Sequence, residues 1–222
     1  MERRFRISVL VSGSGSNLQA LIDAISSGRI SADIVHVISN VADAQGLDRA
    51  RAAGIPTSVL PHGDFPSRDE FDRALSLLMA AHQPDLVVLA GFMRIIGETA
   101  LQGFEGRMIN LHPSLLPLYR GTQTYQRALD AGDRQHGASI HFVTAELDGG
   151  PVISQVLIPI LEGDDATRLA TRLGPEEHRL MVATVELLSS GRVECMEGMV
   201  NVDGQPAAAP LLLTEEGTLE AH

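Results

Sequence analysis

The chain has 222 residues, a formal net charge of −11 and a hydrophobic fraction of 44%. That length accommodates one large α/β domain or two tightly joined halves, and the acidic balance argues against broad binding to nucleic acid, which requires cations that neutralise phosphates. No apolar run approaches the ~20 residues of a membrane helix, and the basic N-terminus passes into a strand without the longer apolar region of a signal peptide. These features predict a cytoplasmic protein.

The first predicted elements are a strand, a glycine-rich turn and a helix. Phe5 to Val11 reads as the strand, residues 12–17 (Ser-Gly-Ser-Gly-Ser-Asn) follow, and apolar residues then recur at helical spacing as far as Gly28. The glycines permit a sharp turn, and free N–H groups at the helix start can hold a phosphate. Leu18 stands where the third glycine of a dinucleotide fingerprint would fall. The turn therefore favours a single phosphate, with an unliganded glycine turn as the alternative.

Helices and strands continue to alternate along the chain. Helices are predicted at 42–53, 67–81 with Ser67 as N-cap, 97–103, 122–131 and 166–190, the last irregular near Gly174. Strands are predicted at 33–39, 57–60, 85–91, 107–111, 136–143 and 151–158, with two more after Gly191. This order predicts an open, mostly parallel twisted sheet with helices on both faces and a Rossmann-like N-terminal half. We expect a mononucleotide-binding half at 1–104, a catalytic half continuing the same sheet at 105–202, and a frayed tail at 203–222.

Polar residues with catalytic chemistry follow the central strands. Asn110 and His112 are separated by one residue, so both side chains leave the same side of an extended backbone. The imidazole titrates near neutral pH, the amide of Asn110 can stabilise an oxyanion, and a nearby Asp148 would favour the imidazolium form. Taken singly, a His before Pro or an Asp before Gly-Gly is often structural. Together they predict acyl transfer without a covalent enzyme intermediate.

Cysteine and metal chemistry are not expected. Cys195 is the single cysteine, which excludes an internal disulfide and a thiolate cluster, and it reads as a structural or incidental thiol. A metal site built from His112, His136 and His141 is conceivable by residue type. No His-Glu-x-x-His or paired-Cys pattern is present, so we predict no metal. His141 alone reads equally well as a core side chain or as the wall of a site.

Four stretches of the chain carry a family resemblance. Residues Ser12–Ala20, Gly91–Arg94, Asn110–Pro117 and His141–Pro151 resemble the phosphoribosylglycinamide formyltransferase family, the folate-dependent transferases of purine synthesis. The resemblance runs from about residue 5 to 202. The Asn-x-His…Asp set is shared with other enzymes that use formyltetrahydrofolate, whereas the first and last stretches are more specific to this family.

The resemblance implies a set of site residues and two small-molecule substrates. Asn110, His112 and Asp148 are implied as catalytic, with Asn110 and protonated His112 stabilising the tetrahedral oxyanion. The residues implied for glycinamide ribonucleotide are Gly15, Ser16, Asn17 and Glu177, the last near the ribose. The residues implied for 10-formyltetrahydrofolate are Arg68, Met93, Arg94, Ile95, Ile96, Asn110, Ala145, Glu146, Leu147 and Asp148. No metal, nucleic acid or membrane partner is implied, and either a monomer or a homodimer is expected.

Three alternatives remain open at this point. A formyltetrahydrofolate deformylase would use water in place of the amine, and such enzymes usually carry a regulatory domain ahead of the catalytic one. A methionyl-tRNA formyltransferase usually adds an RNA-gripping C-terminal domain, which fits poorly with the charge of −11. A non-catalytic mononucleotide-binding module would have no need of Asn110, His112 and Asp148. Within the resemblance, Ser14, Arg120 and the stretch 174–177 depart from the usual pattern.

Overall fold

The computed structural model describes residues 3–221, which divide into two compact units. The first comprises the described residues up to Asn110 together with Val143–Ala145, and the second comprises Leu111–Phe142 and the chain from Glu146 onward. The boundary lies within a strand, after Asn110, where the sequence predicted a division after residue 104.

The first unit is built on parallel strands. They are β1 (Phe5–Val11), β2 (Ala32–Ser39), β3 (Thr57–Val59), β4 (Leu86–Leu89) and the first residues of β5 (Met108–His112). Their order is β5-β4-β1-β2-β3, and every pair among them is parallel. All of β4 and most of β1 are buried, as expected for strands of a parallel sheet that is covered on both faces.

Four helices connect these strands. They are α1 (Ser16–Ser26), α2 (Gln45–Ala52), α3 (Arg68–Ala80) and the short α4 (Glu98–Leu101), with a 3-10 turn at His62–Asp64. The predicted cap of α3 is confirmed, since the Ser67 side chain accepts a hydrogen bond from the Glu70 N–H at 3.2 Å. Apolar side chains of α3, α4 and the strands, among them Phe71, Leu75 and Met108, form one buried cluster.

The second unit is organised around one long helix. It contains the end of β5, then α5 (Thr124–Ala131), β6 (Gln135–Phe142), β7 (Val152–Pro159) and α6 (Ala166–Ser189). Strands β6 and β7 are antiparallel, and α6 packs against both with buried side chains such as Leu173 and Leu180. The helix runs without interruption through Pro175, where the sequence predicted an irregularity. Its buried apolar face offsets the single N–H that proline removes.

The two strands predicted after Gly191 are present, and residues beyond 203 form further strands where the sequence predicted a frayed tail. Strands β8 (Val193–Met196), β9 (Met199–Val202) and β10 (Gln205–Pro206) make a three-stranded antiparallel sheet, and β11 (Leu211–Leu213) and β12 (Leu219–Glu220) follow. β11 pairs in parallel with β7, and Leu211 is buried. Arg179 of α6 donates to the carbonyl oxygen of Thr214 at 2.9 Å. The apolar run Leu211–Leu213 and Arg179 thus hold in place a segment whose composition indicated a frayed tail.

The fold class is the one predicted. The protein is mixed α/β, with a large, mostly parallel sheet flanked by helices. No helix within residues 3–221 is both long enough and apolar enough to cross a bilayer. In the first unit, the carboxyl ends of β1 and β4 share one edge of the parallel sheet, which is the edge where open α/β sheets place ligands.

Candidate active site

The imidazole of His112 lies between two acceptors in the second unit. Its Nε2 is 3.0 Å from the carbonyl oxygen of Tyr119, and its Nδ1 is 3.5 Å from Oδ2 of Asp148. A carbonyl oxygen can only accept, so Nε2 carries a proton, and Nδ1 is the ring nitrogen that faces the carboxylate. The two side chains are only 6% and 9% exposed. The structure therefore brings together the histidine and the aspartate that lie far apart in sequence.

Asp148 is held by three neighbours. Its Oδ2 accepts a hydrogen bond from the Gly121 N–H at 2.9 Å, and its Oδ1 lies 3.7 Å from Nε2 of His141. Burial lowers the pKa of His141, against the opposing influence of the Phe142 carbonyl and of Asp148 itself. The backbone of Asp148 has φ 48°, a left-handed conformation that asparagine and aspartate tolerate better than most residues. His141, which the sequence left open between core and site, is thus buried at the carboxylate.

Asn110 is the last residue of the first unit and lies on the same strand, β5, as His112. It pairs in register with Leu89 of β4, and it is half-buried whereas its neighbours Ile109 and Leu111 are buried. Alternation along a strand sends the side chains of Asn110 and His112 to the same side. The amide and the imidazole therefore lie on one strand, as the sequence predicted.

The glycine turn of the first unit is shaped by contact with α2. Gly15 has φ 67°, and a Cβ placed on it would lie 2.5 Å from Cα of Gly46. Helix α1 begins at Ser16, so the N–H groups of its first turn have no partner within the helix. The Asn17 side chain is 8% exposed, and its Oδ1 has no hydrogen-bond partner in the protein. The close approach of the backbone and the free N–H donors fit a small anionic group. The unpaired amide oxygen of Asn17 fits a hydroxyl near that group.

Two residues at this turn were not singled out from sequence. The Arg49 Nε donates to the carbonyl oxygen of Ser14 at 2.8 Å, which places a cation beside the turn. Ser12 donates through Oγ to Oδ1 of Asn40 at 2.5 Å and accepts from the Met93 N–H at 2.8 Å. A serine directly after a buried strand was the only available signal, and it does not reveal which residues the hydroxyl joins. The hydroxyl ties the end of β1 to residues that follow β4.

The segment 92–97 of the first unit carries most of the residues that the resemblance implies for folate. Met93 and Ile95 are 76% and 53% exposed, an unusual exposure for large apolar side chains that suits an apolar ligand. The guanidinium carbon of Arg94 lies 5.9 Å from the centroid of the Phe71 ring. Ile96, in contrast, is only 5% exposed and belongs to the core cluster.

The remaining implied residues lie on the surface and on α6. Arg68 donates to the carbonyl oxygen of Ile95 at 3.1 Å. Ala145, Glu146 and Leu147 are exposed, and Glu146 forms an ion pair with Arg120. These exposed residues thus present one carboxylate, two arginines and two apolar side chains to solvent.

Glu177 on α6 accepts a hydrogen bond from the hydroxyl of Tyr125 at 3.3 Å. Burial and the charge of Glu177 raise the pKa of that hydroxyl, so it remains a donor. The sequence contains no motif that points to Tyr125, because the two residues are joined only by the packing of α5 and α6.

The surroundings of His136 and Cys195 indicate structural roles for both residues. His136 is 1% exposed, burial lowers its pKa, and its ring centroid lies 5.1 Å from that of Tyr125. Burial raises the pKa of the Cys195 thiol, which disfavours the reactive thiolate. Across residues 3–221 no three His, Cys, Asp or Glu side chains are grouped so that they could hold a metal ion.

Comparison with known proteins first defines a class. The family model described as "Formyl transferase" matches residues 5–185, a range that includes Asn110, His112 and Asp148. The match places the chain in the formyl transferase class.

Individual relatives narrow the class. The phosphoribosylglycinamide formyltransferase of Escherichia coli strain K12 is 46% identical over 199 residues, covering 90% of this chain and 94% of that protein. The enzyme of the same name from Haemophilus influenzae is 42% identical over 200 residues. The structure of the Coxiella burnetii phosphoribosylglycinamide formyltransferase superposes with a TM-score of 0.88 at 45% identity, covering 93% and 97% of the two chains. The chain therefore belongs to the phosphoribosylglycinamide formyltransferase family, as the sequence motifs predicted.

Proposed function

We propose that this protein transfers a formyl group from 10-formyltetrahydrofolate to the amine of glycinamide ribonucleotide. Membership of the family supports the substrates. The observation that carries the chemistry is the buried pair of His112 and Asp148, at 3.5 Å, at the end of the strand that carries Asn110. The pair provides an imidazole that can carry positive charge beside a developing oxyanion and a carboxylate that balances that charge.

The proposed reaction is a direct attack with no covalent enzyme intermediate. The amine attacks the formyl carbon, and the carbonyl oxygen becomes an oxyanion in a tetrahedral intermediate. Asn110 donates to that oxyanion through its amide, and His112 stabilises it as an imidazolium whose charge Asp148 balances. Collapse of the intermediate breaks the bond to the folate nitrogen, which takes up a proton through water as the attacking amine loses one. Donors placed for the charge that develops contribute about 10²-fold to 10³-fold each.

The two substrates are assigned to separate sets of residues. For the ribonucleotide we propose main-chain donors of Gly15, Ser16 and Asn17 at the phosphate and Glu177 at the ribose. For the folate we propose Arg68 at the glutamate end and the exposed segment of residues 93–96. Ala145, Glu146, Leu147, Asn110 and Asp148 complete the proposed folate contacts. Exposure of Met93 and Ile95 and the unpaired Oδ1 of Asn17 support these assignments.

The setting of the enzyme is part of the proposal. We place it in the cytoplasm as a monomer or homodimer that acts on small molecules and not on nucleic acid, with no metal. The net charge of −11 supports only the exclusion of nucleic acid, because an acidic protein fits a phosphate polymer poorly.

The decisive experiment separates transfer from hydrolysis. The protein is incubated with 10-formyltetrahydrofolate with and without glycinamide ribonucleotide, and tetrahydrofolate release and formylated ribonucleotide are both measured. We expect release only with the ribonucleotide, in equal amount to the formylated product. A formyltetrahydrofolate deformylase from Pseudomonas syringae has a TM-score of 0.83 at 26% identity. Release at full rate in water alone would favour that activity and overturn the transferase.

A further inference from the structure

A buried carboxylate lies beneath the segment assigned to folate. Asp72 is on α3, one turn after Arg68, and its side chain is 2% exposed. Its Oδ1 is buried and has no hydrogen-bond partner in the protein. Burial raises the pKa of Asp72 above its usual 3.8 and Asp69 adds to the rise, while Arg68, the Gly97 N–H and Arg94 oppose it. A carboxylate in such surroundings costs stability, so its presence calls for a reason other than folding.

Gly97 shows how tightly the carboxylate is held. The Gly97 N–H donates to the Asp72 carboxylate, and a Cβ placed on Gly97 would lie 2.1 Å from Oδ2. The backbone of Gly97 has φ −85°, a value that any residue adopts. Glycine is therefore required at position 97 by the space that the carboxylate takes and not by backbone conformation.

The same carboxylate faces the arginine that is assigned to the glutamate end of folate. Nε of Arg68 lies 3.7 Å from Oδ2 of Asp72, and the Arg68 side chain remains 52% exposed. Its Nη2 donates to the carbonyl oxygen of Ile95. Since both side chains belong to one helix, at positions i and i+4, the carboxylate restricts the guanidinium to one direction.

These contacts join three parts of the proposed folate site through a single group. Asp72 holds Gly97 by its backbone N–H and Arg68 by its charge, and Arg68 holds Ile95 by its carbonyl. Held in this way, Arg68 loses little side-chain freedom when a ligand carboxylate arrives. We propose that Asp72 is a positioning residue for folate, which presents Arg68 to the glutamate carboxylates of the co-substrate. This inference rests on the proposed function.

The test uses steady-state kinetics of the full-length D72N variant, with D69N as its control. D69N removes the same charge from an exposed position next to Arg68 on α3. For D72N we expect the KM for 10-formyltetrahydrofolate to rise about tenfold, the effect of losing one charge-assisted contact. We expect the KM for the ribonucleotide and the kcat at saturating folate to change less than about twofold, and D69N to resemble the parent protein.

A truncated co-substrate shows whether Asp72 acts through Arg68. In the primary amide of 10-formyltetrahydropteroate the glutamate is absent and the benzoate carboxyl is an uncharged amide, so Arg68 has no carboxylate to meet. We expect D72N and the parent protein to have the same KM for this analogue, because only the interaction of Arg68 with glutamate depends on Asp72. A KM rise that persists in full on the analogue would assign Asp72 to general folding of the segment and overturn the inference. A D72N variant indistinguishable from D69N on the complete folate would overturn it as well.

G97A supplies an independent variant should D72N fail to fold. It displaces the carboxylate and keeps its charge, and we expect the same selective rise in the folate KM, again absent with the analogue. An unchanged folate KM in G97A would contradict the inference. Transfer by the parent protein is measured first, so a failure of the proposed function would appear there, whereas a failure of this inference would appear only in the variants.

Discussion

The glycine turn of the first unit and the His112–Asp148 pair of the second use different physical means. The turn offers main-chain N–H groups at the start of α1, and its shape depends on a close approach between Gly15 and Gly46. The pair offers two titratable side chains that are almost fully buried and that come from distant parts of the chain. A main-chain cradle binds charge without titrating, whereas the pair can change its protonation during a reaction. Damage to the turn should therefore weaken binding, and damage to the pair should slow chemistry.

The largest effect is expected for D148N. The substitution leaves a side chain of the same shape but removes the negative charge 3.5 Å from Nδ1 of His112, so we expect kcat to fall about 10³-fold. The KM for the ribonucleotide should change less than about threefold, because the turn is untouched. Steady-state rates at saturating concentrations of both substrates measure this.

The matched control for D148N is D130N. Asp130 is exposed on α5 and accepts a hydrogen bond from Gln126 of the same helix. The D130N variant should retain full activity. A kcat for D148N within tenfold of the D130N value would mean that the pair does not drive the chemistry, and the contrast with the turn would fail.

The second largest effect is expected for a buried histidine that has no carboxylate partner within residues 3–221. His36 is 1% exposed, bonds Ser58 through Nε2 at 2.9 Å, and stacks on His82 at 4.0 Å. Burial, helped by His82, lowers its pKa to about 4 from 6.5. The unfolded chain therefore binds the proton at higher pH than the folded chain. The stability that His36 contributes is fully present above pH 6.5 and is lost as the pH falls toward 4, by up to about 3 kcal/mol.

H36Q tests this linkage. Urea unfolding at several pH values between 7 and 4.5 should show a shallower loss of unfolding free energy for H36Q than for the parent protein, with kcat at pH 7 unchanged. Equal slopes in the two proteins would show that His36 keeps its ordinary pKa. A lower kcat for H36Q would mean that His36 contributes to the reaction although it has no carboxylate partner. Its contrast with His112 would then fail.

The smallest effect is expected for G15A. An alanine at Gly15 meets Gly46 and takes up a left-handed backbone, so we expect the KM for the ribonucleotide to rise about tenfold with kcat little changed. G28A is the matched control, because Gly28 has φ 80° but open space around its missing Cβ. Both variants should lose about 1–2 kcal/mol of unfolding free energy from backbone strain. G15A should lose more than G28A because its Cβ also meets Gly46, and only G15A should bind the ribonucleotide less well. Equal KM values of G15A and G28A for the ribonucleotide would mean that the turn does not bind this substrate.

Much of the fold could be predicted from the sequence because it depends on local patterns. The buried run of β4, the position of the glycine turn along the chain and the cap at Ser67 are each encoded within a few neighbouring residues. Less local features were wrong or missing. The strand β11 forms because Leu211–Leu213 finds an edge of β7, and the boundary between the units lies inside β5. Neither event has a signature within the segment itself.

The candidate site divides in the same way. The spacing of Asn110 and His112 on one strand, the glycine turn and the family motifs were available from the sequence alone, since they depend on residue type and short-range periodicity. The meeting of His112 with Asp148, the second imidazole of His141 and the carboxylate of Asp72 beneath Gly97 were decided only by tertiary structure. Each of these depends on a distance of a few ångströms between segments that are brought together by packing or on the depth to which one side chain is buried. Residue order along the chain does not contain those quantities.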